Sequence, residues 1–325
     1  MTKLVTIFGG SGFVGRYVAQ RMAAQGWRVR VACRHINDAH WVRLYGVVGQ
    51  VEPVFCNIRD DASVRTVTAA ADAVVNCVGI LAESGRQSFE QLQHQGAARI
   101  ARIAKEEGVA RLVQISAIGA DANSKSAYAR TKALGEKAVL EAFPEAVILR
   151  PSIVFGTEDE FFNRFAAMTI LSPVIPLVNA SVKFQPVWVS DVAHAAELGA
   201  LGRAKPGIYE LGGPDVQTFR GLMQDMLGVI RRRRLILSAP LWLARIMGSA
   251  FDLLGKLTFG LIKGPLTRDQ VENLAHDNVV HDGVMTFQDL GIEPTAKEAV
   301  LPAYLWQYRP SGQYAEITES ARNLR

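Results

Sequence analysis

Tyr128 and Lys132 stand four residues apart, and Ser116 lies upstream of both. These three side-chain types can move a proton. On a helix an i, i+4 pair shares one face. An ammonium beside a phenol favours the phenolate and lowers its pKa, and it can also hold a ribose hydroxyl. A serine at the adjoining strand end can hydrogen-bond a substrate carbonyl. Together the three form a candidate acid–base relay for hydride transfer. Y-x-x-x-K alone is a common surface-helix pattern, so its meaning depends on the elements that position it.

Those elements begin at the N-terminus. Leu4–Phe8 is an apolar run that stops at Gly9-Gly10-Ser11-Gly12-Phe13-Val14-Gly15, and a helical pattern through Val14, Val18 and Met22 follows at once. This reads as strand, tight turn and helix N-terminus, the context that gives a glycine triplet meaning. Gly9 allows the turn, Gly12 lets backbone approach a pyrophosphate, and Gly15 lets helix pack on strand. Free N–H groups and the positive dipole end then favour a bound phosphate. Gly9 to Gly15 are therefore assigned to a dinucleotide.

Arg28–Cys33 alternates as a second strand and ends at Arg34. Dinucleotide folds often carry an acid here for the ribose 2′-hydroxyl. A basic residue favours a 2′-phosphate, hence NADP(H) over NAD(H); the alternative is a solvated surface arginine. Val51–Cys56 leads into Asn57-Ile58, a polar–apolar step that could sandwich adenine, or could simply precede a helix capped by Asp60 or Asp61. Ala73–Cys77 is a fourth strand, with Cys77, Val78 and Gly79 against the cofactor. Ser88 to Glu107 is expected as one long amphipathic helix. Arg111–Ile115 is the strand before Ser116. Ala146–Arg150 is expected to close the sheet at Pro151-Ser152, with Pro151 also at the cofactor.

Alternating strand–helix units predict an α/β fold, a doubly wound parallel Rossmann sheet over residues 1–155. Beyond it, Pro- and Gly-punctuated loops, short strands at Phe184–Val189 and Ile208–Leu211, and further helices predict a smaller C-terminal α+β lobe. It spans 156–325, interleaved with the first domain on the substrate and partner side. Asp191 is expected to cap or position the helix through Ala193, Ala196 and Leu201.

With 325 residues, 49% hydrophobic and 21% charged, the chain reads as globular rather than disordered or fibrous. A net charge of +5 is weak for a dedicated nucleic-acid binder but compatible with anionic lipid or an acidic partner. Cys33, Cys56 and Cys77 lack C-x-x-C spacing and read as small buried thiols. The six histidines show no metal-ligand pairing. A first strand beginning at Lys3 leaves no room for a targeting peptide. The longest uncharged run, Phe165 to Val182, contains Pro173 and Pro176 and suits a substrate-side loop better than a membrane span.

G-G-S-G-F-V-G at Gly9–Gly15, Ser116, Tyr128 with Lys132, R-P-S-I-V-F-G at Arg150–Gly156 and L-G-I-E-P-T at Leu290–Thr295 together resemble the short-chain dehydrogenase/reductase superfamily, in its extended or atypical branch. The resemblance implies Tyr128 as acid/base, Lys132 as ribose ligand and helper, and Ser116 as the group that polarises substrate. A narrower resemblance covers E-A-F-P-E-A-V-I-L-R-P-S-I-V-F-G-T-E-D-E-F-F-N-R-F-A at Glu141–Ala166. It extends to Gln185-Pro186-Val187, Thr267-Arg268-Asp269-Gln270-Val271 and the Leu301–Arg309 helix. These segments resemble the nucleotide-binding accessory subunit of respiratory complex I. That subfamily holds a tight NADPH remote from the electron-transfer chain and serves assembly and stability with no assigned turnover. It sits on the peripheral arm near the membrane-arm junction. The lack of a presequence departs from mitochondrial members and points to the cytoplasmic face of a bacterial inner membrane, or to the matrix side for a mature eukaryotic form.

The subfamily also implies a use for Arg231-Arg232-Arg233-Arg234 and the apolar stretch Leu235–Ile262. It is too interrupted to span a bilayer, yet apolar enough to meet anionic lipid or other complex I subunits. A core helix pair beside a solvated basic strand is the other reading, and periodicity does not separate them. Two functions remain. One is an NADP(H)-binding accessory subunit, in which Ser116, Tyr128 and Lys132 are catalytically vestigial. The other is a free-standing NADP-dependent dehydrogenase, epimerase or reductase acting on a nucleotide sugar or another carbonyl compound. The relay does not choose, because the same Tyr and Lys can clamp a ribose without turnover. The Glu141–Ala166 block and the basic apolar segment favour the subunit. Nothing beyond the basic balance favours nucleic acid.

Overall fold

The computed structural model describes residues 2–246, 267–310 and 312–314. Its frame is a run of strands, most of them followed by an α-helix; between β2 and β3 the connection is a 3-10 segment over Asn37–Tyr45. The first half comprises β1 (Leu4–Phe8), α1 (Phe13–Ala24), β2 (Arg28–Cys33), β3 (Val51–Phe55), α2 (Asp61–Thr68), β4 (Ala73–Asn76), α3 (Gln95–Glu106), β5 (Arg111–Ile115), α4 (Ala127–Ala142) and β6 (Val147–Pro151). The second half adds α5 (Phe162–Leu171), α6 (Val189–Ala200), β7 (Gly207–Leu211), α7 (Phe219–Val229), α8 (Arg268–Asn273) and α9 (Lys297–Leu305).

The seven strands pair in parallel in the order β7-β6-β5-β4-β1-β2-β3. Side chains alternate across the sheet with the period of two. Val5 and Ile7 pack with Val18, Met22 and Val192 of α1 and α6, whereas Phe8 packs with Val64, Ile100 and Ile103 of α2 and α3. Covered on both faces at the middle of the sheet, β1 and β4 are near-continuous apolar runs, as central parallel strands require. Strand order reverses between β1 and β4, and such a switch point opens a crevice at the carboxyl ends of the strands.

A third core, built on Phe155, Phe162, Phe184, Phe219, Leu301 and Tyr304, holds the lobe together. Asp159 is buried there and accepts from the Tyr304 hydroxyl at 2.5 Å, while Tyr308 donates to Asn163 at 3.0 Å. These two bonds join the Glu141–Ala166 block to the Leu301–Arg309 block. Their separation in sequence disappears in the fold.

Several expectations need correction. The sixth strand does not close the sheet, because β7 pairs with β6 in parallel from Gly207↔Val147 to Leu211↔Pro151. The span Ser88–Glu107 is not one α-helix. A π-helical turn over Glu90–His94 precedes α3, and it sets the Gln93 carbonyl against Gly135 of α4, where any Cβ would come within 2.2 Å. Phe165–Val182 is not a loop; it holds the end of α5 and a strand at Val174–Val178. Phe184–Val189 splits at Gln185-Pro186 into Lys183–Phe184 and Val187–Trp188. Asp191 lies in the first turn of α6 and accepts from the Thr295 backbone N–H at 2.7 Å, anchoring the L-G-I-E-P-T segment rather than capping its own helix.

The apolar stretch 235–262 is described as far as Ile246. Leu235–Ala239 is a strand paired in parallel with Val174–Val178, and residues 241–246 are helical. Leu235, Leu237, Trp242 and Ile246 are each half or more exposed. The rest of that stretch lies outside the described residues. Among those described, no helix is long and apolar enough to cross a membrane.

Candidate dinucleotide site

The glycine turn sits at the switch point. Gly9 has φ +71°, which favours a residue without Cβ, and a Cβ there would lie 3.2 Å from the Cys77 carbonyl carbon at the end of β4. A Cβ on Gly15 would come within 2.3 Å of the Gly9 carbonyl oxygen. Close contact of helix and turn therefore depends on that glycine. Gly12 is exposed and is the N-cap residue of α1; no side chain caps this helix, and its first turn carries no acid. The positive end of α1 is left open for an anion. The Phe13 ring lies 3.4 Å from where a Gly156 Cβ would stand, which brings R-P-S-I-V-F-G beside the glycine turn.

Arg34 follows β2 and is exposed. Asn57 and Ile58 already have local work. The Asn57 Oδ1 accepts from the Arg59 backbone at 3.2 Å, Asp60 caps α2 through the Ser63 N–H at 3.1 Å, and Ile58 is buried beneath Gly96 of α3. After β4, the Val78 N–H donates to Asn76 Oδ1 at 3.0 Å, and the Asn76 amide donates to Gln114 at 2.8 Å. Burial pushes the half-buried Cys77 thiol up to about 12. Cys33 and Cys56 are buried and free.

Tyr128 and Lys132 share one face of α4, with the ammonium 5.9 Å from the phenol ring centroid. Lys132 is buried, and its Nζ donates to the Ile115 carbonyl at 3.3 Å. It lies 3.5 Å from the position of a Gly79 Cβ. Burial pulls its ammonium down to about 8, against the opposing influence of Glu136 and Cys77. The expected lowering of the Tyr128 pKa does not occur. Burial first, and then the Asp269 carboxylate, push the phenol up to about 12. The Tyr128 ring packs edge-on against Phe89 at 5.8 Å.

Ser116 departs from the relay. Its buried hydroxyl donates to Glu136, one helical turn beyond Lys132. Arg150 holds that carboxylate with Nη2 at 2.6 Å and Nε at 3.0 Å, and also reaches Glu210, which binds His281 at 2.8 Å. Ser116 thus ends a ladder that ties β5, α4, β6 and β7 together. Pro151 is buried at the end of β6, where its carbonyl accepts from Ile118 N–H at 3.0 Å.

Sequence reasoning missed Asp269. Its carboxylate accepts from Ala127 N–H at 2.6 Å, Tyr128 N–H at 3.4 Å and the Ser126 hydroxyl at 3.0 Å, at the N-terminus of α4. The local signal was present: Thr267 and Gln270 form a capping box that starts α8. Among the described residues, no group of three or more His, Cys, Asp and Glu side chains could hold a metal.

An uncapped glycine-turn helix at the switch of a parallel sheet, with a Tyr–Lys pair one strand away, defines a dinucleotide-binding α/β protein of the short-chain dehydrogenase type. Residues 5–212 match the NAD dependent epimerase/dehydratase family, and the chain belongs to that family. More narrowly, it is similar over nearly its whole length to subunits of complex I. It is 38% identical over 316 residues to the mitochondrial NADH dehydrogenase [ubiquinone] 1 alpha subcomplex subunit 9 of Arabidopsis thaliana, covering 95% of this chain and 79% of that one. The subunit of the same name from Mus musculus is 32% identical over 305 residues, covering 91% and 78%.

Among solved structures, an NADPH-dependent quinone oxidoreductase from Escherichia coli in complex with NADPH superposes with a TM-score of 0.69. It is 16% identical and covers 93% of this chain and 98% of its own. A dTDP-glucose 4,6-dehydratase from Bacillus anthracis in complex with NAD also reaches 0.69, at 13% identity over 94% and 96% of the two chains. At those identities the likeness is one of fold.

Proposed function

We propose that this chain is an accessory subunit of complex I that holds NADP(H) as a structural group, without turnover, near the junction of the peripheral and membrane arms. Lys132 carries the cofactor part of this reading. It is a buried ammonium for which Ile115 is the one hydrogen-bond acceptor met among the described residues. Three N–H donors in a buried place need more than one acceptor. A ribose hydroxyl at Lys132 and Tyr128, with a pyrophosphate on the open end of α1, satisfies both ends. Exposed Arg34, at the ribose position after β2, supports a 2′-phosphate and therefore NADP(H). The nicotinamide, when bound, supplies hydride chemistry. This chain's residues orient it: Lys132 donates to the ribose, and Tyr128 keeps its proton.

Support for holding over turnover comes from Ser116. A hydroxyl that donates to Glu136 has no second proton with which to polarise a carbonyl. The half-exposed Leu235, Leu237, Trp242 and Ile246, following four arginines, support a docking face for another complex I subunit or anionic lipid. The proposed location is the cytoplasmic face of a bacterial inner membrane, or the matrix side if the chain is eukaryotic.

Gentle detergent extraction, size separation and identification of what travels with the chain test this. Comigration with an NADH:quinone oxidoreductase carrying one non-exchanging NADPH is the expected result. A small soluble species whose nicotinamide is reduced and reoxidised by carbonyl compounds overturns it and establishes the free-standing enzyme.

A further inference from the structure

Asp269 is 141 residues from Tyr128 in sequence, yet it binds the backbone on which Tyr128 stands. The first turn of α4 offers three N–H groups. Ser126, the N-cap, takes Ala129 N–H at 3.2 Å. Asp269 takes Ala127 and Tyr128 N–H, and also receives the Ser126 hydroxyl. One carboxylate therefore places negative charge at the positive end of α4 and orders the N-cap that completes the turn.

Asp269 is itself held from several sides. The capping box of Thr267 and Gln270 fixes the first turn of α8, and Val271 is buried beneath it. Arg245 pairs with Glu272 through two bonds of 3.0 Å. The Asn179 amide donates to the Leu274 carbonyl at 2.7 Å, tying the end of α8 to the lobe. The carboxylate is thus a fixed post between the lobe and the helix that carries Tyr128 and Lys132.

We propose that Asp269 is a positioning residue of the dinucleotide site: by holding the first turn of α4 against α8, it sets where Tyr128 and Lys132 meet the nicotinamide half of the cofactor. The inference rests on the cofactor reading above. The Asp269 carboxylate is engaged by the Ser126 hydroxyl and the Ala127 and Tyr128 N–H groups, so its action on the site runs through α4. Its effect is therefore confined to one half of a dinucleotide. The adenosine half, met by the glycine turn and Arg34, is indifferent to it.

That asymmetry supplies the test. NADPH and adenosine 2′,5′-bisphosphate, a half-ligand lacking the nicotinamide ribose, are titrated by calorimetry into the full chain and its Asp269→Ala and Asp269→Asn variants, each first freed of bound nucleotide by unfolding and refolding. Asp269→Ala is expected to lose about tenfold in NADPH affinity, the size of a lost helix cap. Binding of the half-ligand should change less than twofold. Asp269→Asn keeps an acceptor but not the charge and should fall between. An equal loss for both ligands means Asp269 serves only overall stability, and unchanged NADPH affinity in both variants means α4 holds its place without it; either result overturns the inference. If the unaltered chain binds neither ligand, the cofactor reading itself fails, which is a different outcome. Should the alanine variant not fold, the split between ligands in Asp269→Asn decides.

Discussion

Two helix N-termini face the same crevice and are finished in opposite ways. That of α1 has Gly12 as its cap residue, no side-chain bond and no acid in its first turn. That of α4 is filled, with Ser126 bonded to Ala129 and Asp269 reaching from α8 to Ala127 and Tyr128. An α-helix leaves about four N–H groups without partners at its start. A protein that supplies its own partners gains stability and forgoes an anion site. One that withholds them keeps the site. On the cofactor reading proposed above, the first helix would be finished by ligand and the second is finished by the chain itself: α1 is left to receive a charge, while α4 only has to hold two side chains still.

The largest effect comes from finishing α1 in the manner of α4. Gly12→Asp puts a carboxylate where the pyrophosphate would sit, satisfying the N–H groups and repelling phosphate. NADPH affinity measured by calorimetry should fall by more than about a hundredfold, ~2.7 kcal/mol, with the circular-dichroism spectrum unchanged. Retained affinity would show that the open end of α1 is not a phosphate seat.

Next in size is Lys132→Met, which removes the ribose donor but relieves a buried charge. NADPH affinity should drop about thirtyfold. The nucleotide-free protein should behave in the opposite sense. Lys132 falls from the ordinary 10.5 to about 8 on folding, so between those values the unfolded chain binds more protons and the stability contribution of this group rises with pH. Melting curves from pH 7 to 10 should show the Lys132→Met variant ahead at pH 7 and the wild-type protein gaining on it, so that the variant's advantage shrinks above pH 8. A constant difference would mean that Lys132 is not held under strain of charge.

Arg34→Asp sharpens what the open end serves. The loss should be about tenfold for NADPH and small for NADH, because only the 2′-phosphate meets this side chain. Equal losses would remove the argument for NADP(H).

The difference between the two helix ends was half legible in the sequence. Local pattern carries α1: an apolar run, glycines at fixed spacing and a helical stripe lie within twenty residues, and β1, β2 and β5 fall at the expected bounds. Pairing between distant segments carries the rest. Nothing near Ser116 says that Glu136 takes its hydroxyl, or that Arg150 and Glu210 extend the ladder. Nothing near Tyr128 says that its helix is capped from α8. The seventh strand was read as a short strand of the lobe, because a five-residue run does not declare its neighbours. The phenol was expected to be acidic from Lys132 alone; burial and a carboxylate from the far end of the chain, both invisible to spacing, reversed the sign.

The smallest effect on binding separates a clamp from a relay. Ser116→Ala removes a hydrogen bond to a buried carboxylate that Arg150 already neutralises, so stability should fall by about 1.5–3 kcal/mol. Denaturant titration would read that loss as a lower midpoint at unchanged slope. NADPH affinity should stay within about twofold, since the hydroxyl is committed to Glu136. A serine that served the crevice would give the reverse pattern, with stability kept and affinity lost. The comparison with Lys132→Met then separates Lys132 from Ser116: one side chain for the ligand, and one for the fold.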